Sequence, residues 1–151
     1  MSDKRAADGA CSSGVSRRRL LAGLGAAAAT GLAGCSGVGA ADDYDVGMTA
    51  VAFDPVEITV STGETVVWRN TSSRGHTVTA YDSAIPEDAE FFASGGYDST
   101  EAARKAFTSE LGGIIESGKS WSHTFEVPGE YEYFCIPHEQ AGMVGTVVVE
   151  E

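Results

Sequence analysis

The sequence predicts an all-β sandwich of six to eight short antiparallel strands with one inserted helix. Short runs such as 56–60 and 65–70 alternate apolar and polar residues with a period of two, which is the pattern of half-buried strands. Turn-forming residues such as Pro128-Gly129 separate these runs. Only the stretch that follows Ser99 or Thr100 has helical spacing. The strands therefore outnumber the helices. The roughly one hundred residues that contain them are enough for one small domain with a single core.

Strands are expected at six places within a domain that spans residues 48–151. In the second of them, Val66 and Trp68 lie on one face and should point into the core. Tyr131, Tyr133 and Cys135 share the inward face of the fifth. The six expected strands are 56–60, 65–70, 77–80, 121–127, 131–135 and 144–150.

The stretch 81–120 interrupts this rhythm and is interpreted as an insertion. It begins with loop-forming residues, and Ser99 or Thr100 can cap a short helix that carries Ala102, Ala103, Ala106 and Phe107. Gly112-Gly113 should end that helix. The sequence gives the insertion no evident role.

The first 35 residues have the composition of an export signal. Consecutive arginines at 17–19 precede an Ala/Gly-rich run over 20–34 that is too short to span a bilayer, which needs about 20 residues. Paired arginines before such a run resemble the twin-arginine type of signal. Residues 36–47, rich in Gly, Ala and Asp, are then expected to be a flexible tether.

The end of this signal resembles a lipobox, the motif after which a lipoprotein is cleaved and lipidated. Leu32-Ala33-Gly34 precede Cys35, so Cys35 is the expected lipidation site and a cell membrane, on its extracellular side, is the expected location. The alternative is an ordinary signal-peptidase site with a chance cysteine. Cys11 lies upstream of the signal and has no assigned role.

The domain is strongly acidic. The chain has 10 basic and 22 acidic residues, and without residues 1–35 five bases face twenty acids, a net charge of −15. Such a surface repels nucleic acid and anionic lipid, so neither is an expected partner. It is typical of a protein that stays dispersed in high salt, where charges are screened within about 3 Å at 1 M. An ordinary acidic secreted protein is the alternative.

The most informative stretch is Cys135-Ile136-Pro137-His138-Glu139-Gln140-Ala141-Gly142-Met143. It places a thiol, an imidazole and a thioether at spacing C-x2-H-x4-M, in a loop between two expected strands. Taken singly, a Cys or a Met is usually a core residue and a His a surface one. Together these soft ligands suit one copper ion, whereas structural zinc prefers Cys/His sets without Met.

A copper site with a thiolate and a weak axial thioether typically also has two imidazoles, so a second histidine is required. His76 and His123 are the candidates. His76 immediately precedes the expected strand 77–80 and follows Arg74-Gly75, where one end of the sandwich could close over the Cys135 loop. His123 lies in the middle of a strand, where a structural imidazole is the more common outcome. His76 is therefore predicted as the ligand.

The segments YEYFCIPHEQAGMVGTVVVE and VVWRNTSSRGHTVTA resemble the plastocyanin-like blue copper proteins, and most closely the halocyanins. The resemblance extends from about residue 48 to the end. It implies a cupredoxin Greek-key β-sandwich and a type 1 copper site of His76, Cys135, His138 and Met143, with copper cycling between Cu²⁺ and Cu⁺. One departure is Thr77, where plastocyanins usually have Asn.

The resemblance implies an electron carrier, not an enzyme. Copper enzymes need further histidines, and this chain has three in total. A copper store is the other alternative, although such proteins usually expose several Met or Cys ligands. The expected partners are membrane redox proteins of a respiratory chain that dock weakly at an apolar patch around His138, and the protein is expected to be a monomer.

Overall fold

The computed structural model describes residues 43–151, which form a sandwich of two four-stranded sheets. The predicted signal 1–35, its Cys35, and residues 36–42 of the predicted tether lie outside the described residues. The elements are β1 (Val46–Met48), β2 (Phe53–Asp54), β3 (Glu57–Ser61), β4 (Thr65–Asn70), β5 (Thr79–Ala80), α1 (Thr100–Glu110), β6 (Ser120–Thr124), β7 (Gly129–Phe134), a 3-10 helix (Ile136–Ala141) and β8 (Val144–Glu150). In 43–151 no helix is long and apolar enough to cross a membrane.

The strands are ordered β2-β1-β4-β6 in one sheet and β3-β8-β7-β5 in the other. The expectation of purely antiparallel strands is wrong for two pairs, because β1 runs parallel to β4 and β3 runs parallel to β8. The chain passes from the first sheet to the second between β2 and β3. The strands of each parallel pair are therefore adjacent in the sheet but not consecutive in the sequence. Val46 and Gly47 pair with β4, so the ordered sheet begins before the boundary predicted at residue 48.

The core lies between the two sheets and is rich in aromatic residues. Val66 and Trp68 are fully buried, as their alternation predicts, and Trp68 meets Tyr133 of the opposite sheet at 5.4 Å between ring centroids. Tyr131 and Cys135 are buried on the same inward face as Tyr133. The strand pattern of the sequence therefore placed these side chains correctly.

The insertion contributes to the core as well as to the surface. Phe92 is 2% exposed and packs against Trp68 and Phe125, with ring centroids 6.3 and 5.3 Å away. Helix α1 begins after Ser99, whose hydroxyl accepts a hydrogen bond from the Ala102 amide at 3.1 Å. The insertion thus adds a buried aromatic ring to the core and a capped helix outside it.

Candidate metal centre

The loop between β7 and β8 is closed on itself by backbone hydrogen bonds. The amide of Cys135 donates to the carbonyl of Met143 at 3.1 Å, and the Met143 amide donates to the His138 carbonyl at 3.2 Å. Between them the chain makes a 3-10 helix that ends at Ala141 and is followed by Gly142, whose φ of 85° favours glycine. The short C-x2-H-x4-M spacing therefore gives a compact loop, and Met143 is fully buried at its return.

His76 lies beside this loop but belongs to the connection between β4 and β5. Its backbone exchanges two hydrogen bonds with Ile115, at 3.2 and 2.7 Å, so the last residues of the insertion hold it in place. Gly75 lies against the Ile114 side chain, and a Cβ at Gly75 would stand 2.5 Å from that side chain's Cδ1. A residue larger than glycine before His76 would therefore displace Ile114.

Three of the four predicted ligands come together. The candidate ligand atoms of His76, Cys135 and His138 lie within 4.8 Å of one another. The Cys135 sulfur is 3.6 Å from Nδ1 of His76 and 3.4 Å from Nδ1 of His138. His123 is not in this group and instead stacks on Phe92, with centroids 4.8 Å apart. The choice of His76 over His123 thus agrees with the geometry.

The other ring nitrogen of His76 faces a hydroxyl. Nε2 of His76 lies 2.8 Å from the Ser72 Oγ, which also accepts from the Arg74 amide at 3.1 Å and donates to the Asn70 Oδ1 at 3.0 Å. Asn70 is buried, and its amide nitrogen donates to the Ile115 carbonyl at 2.9 Å. Sequence reasoning missed Ser72, since a serine in a polar turn four residues before a histidine has no distinguishing pattern.

Thr77 joins the His76 segment to the ligand loop. The Ile136 amide donates to the Thr77 Oγ1 at 2.8 Å, and the Thr77 amide donates to the Cys135 sulfur at 3.4 Å. The hydroxyl of Thr77 therefore bonds across to the ligand loop. A backbone N–H aimed at the sulfur stabilises negative charge there.

The electrostatics of the site favour neutral imidazoles. Burial, followed by the neighbouring His138 and Arg74, lowers the pKa of His76 from 6.5 to about 4. Burial and Arg74 also lower the pKa of His138. Burial raises the pKa of the Cys135 thiol, although bonds from Thr77 and His138 oppose this. A metal ion that binds here must therefore displace the thiol proton, and it finds imidazole lone pairs already free at neutral pH.

The donor set fits copper. Two imidazole nitrogens and one sulfur face each other in a pocket where His76 and Cys135 are fully buried and His138 is half-buried. A thiolate with two imidazoles and a weak thioether is the type 1 copper arrangement, and the fully buried Met143 is bonded to the same loop. The arrangement of these four residues is suited to one copper ion.

A second cluster supports the ligand loop from outside. Glu139, next to His138, accepts two hydrogen bonds from Arg104 of α1, at 2.7 and 2.9 Å, and one from the Tyr81 hydroxyl at 2.9 Å. Both partners belong to the insertion. The sequence offers no signal for this contact, because residues 104 and 139 are far apart in the chain and each alone resembles a surface charge.

Comparison with known proteins identifies the family. Residues 40–150 match the family described as copper binding proteins, plastocyanin/azurin family. The chain is 33% identical over 101 residues to plastocyanin of Scenedesmus fuscus, covering 67% of this chain and 89% of that one. It is 32% identical over 114 residues to a Synechococcus plastocyanin, covering 73% and 75%.

A solved structure supports the same fold. A reduced Cu(I) form of an amicyanin mutant is 28% identical with a TM-score of 0.50, over 70% of this chain and 79% of that one. The predicted cupredoxin sandwich is therefore confirmed. For another relative, the chloroplastic plastocyanin of Tetradesmus obliquus, the match is 32% identical over 67% of this chain but spans only 60% of that protein's length. The chain belongs to the plastocyanin/azurin family of copper-binding proteins.

Proposed function

We propose that this protein is a membrane-anchored blue copper electron carrier of the halocyanin type. Its copper ion is held by His76, Cys135, His138 and Met143. The observation that carries this proposal is the convergence of two imidazole nitrogens on one buried cysteine sulfur, within 4.8 Å, in a chain of the plastocyanin/azurin family. Copper, when bound, supplies a one-electron Cu(II)/Cu(I) couple.

The protein's own contribution is to hold the donor atoms still. Cys135 follows β7 directly, and the Ile136 amide behind it is bonded to Thr77. His76 is fixed by its backbone bonds to Ile115 and by Ser72 at its outer nitrogen. Ligands held from several elements rearrange little when the charge at the site changes, and this is what rapid electron transfer needs.

His138 is the proposed point of electron entry and exit. It is half-buried, whereas His76 and Cys135 are fully buried. The apolar residues beside it, Ile136, Pro137, Ala141 and Val144, are all at least partly exposed. A small apolar patch around a half-exposed ligand suits brief docking of a redox protein, because weak redox encounters use interfaces below about 1,200 Å².

Plastocyanin- and amicyanin-like cupredoxins are electron carriers rather than enzymes. The histidine content agrees with this role, since copper enzymes of related fold use additional histidines and this chain has only His123 besides the two at the site. His123 packs among aromatic rings of the core. A copper store is the remaining candidate, and reversible redox cycling distinguishes a carrier from a store.

The N-terminal segment and the charge support the membrane and high-salt parts of the proposal. The arginines at 17–19 and the sequence before Cys35 fit an exported lipoprotein, held at the extracellular side of the membrane through Cys35. The net charge of −15 outside the signal suits a protein surrounded by concentrated salt. The proposed donor and acceptor are membrane redox proteins of a respiratory chain, and the carrier acts as a monomer.

A visible absorption spectrum of the purified, copper-loaded protein tests the central proposal. We expect one intense band in the orange-red region that disappears on addition of a reductant and returns on reoxidation. A colourless protein that nevertheless retains copper would refute the blue copper site. A band that bleaches but does not return would favour storage over electron transfer.

A further inference from the structure

Arg104, in the insertion, makes an unusually complete set of contacts for a surface cation. Its guanidinium donates from both terminal nitrogens to the two carboxylate oxygens of Glu139, at 2.7 and 2.9 Å. Its Cζ lies 4.4 Å from the centroid of the Phe134 ring. Two parallel hydrogen bonds to a carboxylate fix its orientation as well as its distance, which one lysine contact cannot do.

The residues that Arg104 contacts are the immediate neighbours of two proposed ligands. Phe134 precedes Cys135 and is fully buried, and Glu139 follows His138. Tyr81 completes the group, because its hydroxyl donates to Glu139 and its ring stacks on Phe134 with centroids 4.3 Å apart. We define Arg104, Glu139, Tyr81 and Phe134 as the clasp.

The clasp is attached to a fixed part of the insertion. Thr100, at the start of α1, donates from its hydroxyl to the Ala80 carbonyl of β5 at 2.9 Å, and its amide donates to Asp82 at 3.0 Å. The Asp82 amide returns a bond to the Thr100 hydroxyl at 3.1 Å. Arg104 lies one helical turn later, so its position relative to the sheet is determined by this attachment.

The 3-10 helix itself has few connections to the rest of the protein. Its backbone bonds are short-range, from His138 to Cys135 and from Gly142 to Glu139, and none of its residues is fully buried. Thr77 fixes the beginning at Ile136. The hydrogen bonds that Glu139 accepts from Arg104 and Tyr81 therefore fix the middle of the 3-10 helix, where His138 lies.

We propose that Arg104 is a positioning residue that acts through Glu139 to hold the His138 end of the copper site in one arrangement. This inference rests on the proposed function, and it assigns a role to the insertion. The Arg104 side chain is 40% exposed and that of Glu139 is 28% exposed. A single ion pair with this exposure would contribute little to the stability of the loop. Here the two-point pair is joined to the Tyr81 hydroxyl and the Phe134 ring, and such a network can contribute more than its separate pairs.

Amide hydrogen exchange in the copper-free full-length protein tests the clasp without reference to copper. The reporters are the amides of His138, Gly142 and Met143, which carry the loop's internal bonds. In Arg104→Gln we expect these amides to exchange about tenfold faster, while the amides of β4 are unchanged. The matched control is Lys105→Gln, which removes the same charge from an exposed neighbouring position on the same helix.

Two further variants separate geometry from charge. Arg104→Lys keeps the charge but loses the two-point fork, so we expect it to resemble Arg104→Gln rather than the original protein. Glu139→Gln combined with Arg104→Gln should accelerate exchange no more than either change alone, because both remove the same interaction. Full protection in Arg104→Lys, or additive effects in the double variant, would overturn the proposal.

The copper-loaded protein supplies a readout that a merely structural contact would not change. A looser loop rearranges more between oxidation states, so we expect slower electron self-exchange in Arg104→Lys than in Lys105→Gln. Equal self-exchange rates in the two variants would show that Arg104 does not control the position of His138. Faster amide exchange throughout β4 as well as in the loop would show that Arg104 affects general stability instead. Absence of the blue band in the unaltered, copper-loaded protein would refute the copper function. The amide-exchange result on the clasp would remain valid, because it is measured without copper.

Discussion

Replacement of Ser72 by alanine should weaken copper binding even though Ser72 contacts no metal ligand atom. In the observed orientation Nδ1 of His76 faces the Cys135 sulfur, and Nε2 lies 2.8 Å from the Ser72 hydroxyl. When Nδ1 serves as the ligand atom, the ring proton is on Nε2 and must be donated. Ser72 is its acceptor, since its own proton is directed to Asn70.

The magnitude follows from the burial of His76. Its side chain is fully buried, so removal of the hydroxyl leaves an N–H without an acceptor, at a cost of about 1–3 kcal/mol. That cost applies to the copper-loaded protein, because in the copper-free protein the proton can move to Nδ1 and Nε2 then needs no acceptor. We therefore expect copper affinity to fall by about 10- to 100-fold, in the range observed for other partners of metal ligands.

The assay is a competition titration against a coloured Cu(I) chelator, with denaturant unfolding of the copper-free form in parallel. The control is Ser73→Ala, at the adjacent exposed position. Ser72→Thr keeps the hydroxyl and should retain most of the affinity. Equal affinities for Ser72→Ala and Ser73→Ala would refute this reasoning, as would a loss of stability in the copper-free form as large as the loss of binding energy.

Four further outcomes are expected. Cys135→Ser should abolish the intense visible band; its survival would contradict the thiolate assignment. Burial lowers the pKa of His123 below 6.5, so the unfolded chain binds the extra proton first and stability should be lost as pH falls below that value. His123→Phe should keep copper and reduce this loss without abolishing it, because the lowered pKa values of His76 and His138 act in the same direction; the measurement is unfolding of the copper-free protein at pH 7 and pH 5. Phe92→Ala should cost about 3–5 kcal/mol of unfolding free energy, whereas the exposed Leu111→Ala should cost under about 0.5 kcal/mol. Cys35→Ser should move the protein from the membrane to the soluble fraction, and continued membrane association would contradict the lipid anchor.

The periodicity of the sequence was sufficient for most of the strands. Residues 65–70 and 144–150 are strands as predicted, because each alternates between a buried face and a face that is at least partly exposed. The expected strand at 77–80 is reduced to Thr79–Ala80. The preceding residues bond to the insertion and the ligand loop instead, and local alternation contains no information about such partners.

The insertion was the least predictable part. Its helix was anticipated from Ser99, but nothing local shows that Phe92 fills the centre of the core or that Ile115 pairs with His76. An aromatic residue in an irregular stretch has no period that assigns it to a face. Its burial depends on how the chain returns to the sheets.

The sequence by itself determined the chemistry of this protein. Three of its soft ligands lie within nine residues of one loop, so their convergence depends on local geometry and their identity selects copper. The sequence favoured His76 over His123 as the second imidazole only from its position near a strand end, and the tertiary structure shows His76 beside the loop. Only the tertiary structure decided which groups hold the ligands in place. His76 and Ser72 approach the Cys135 loop from another strand connection, and Arg104 approaches it from the insertion. Long-range contacts of this kind arise from the packing of the two sheets, which no short stretch of sequence specifies.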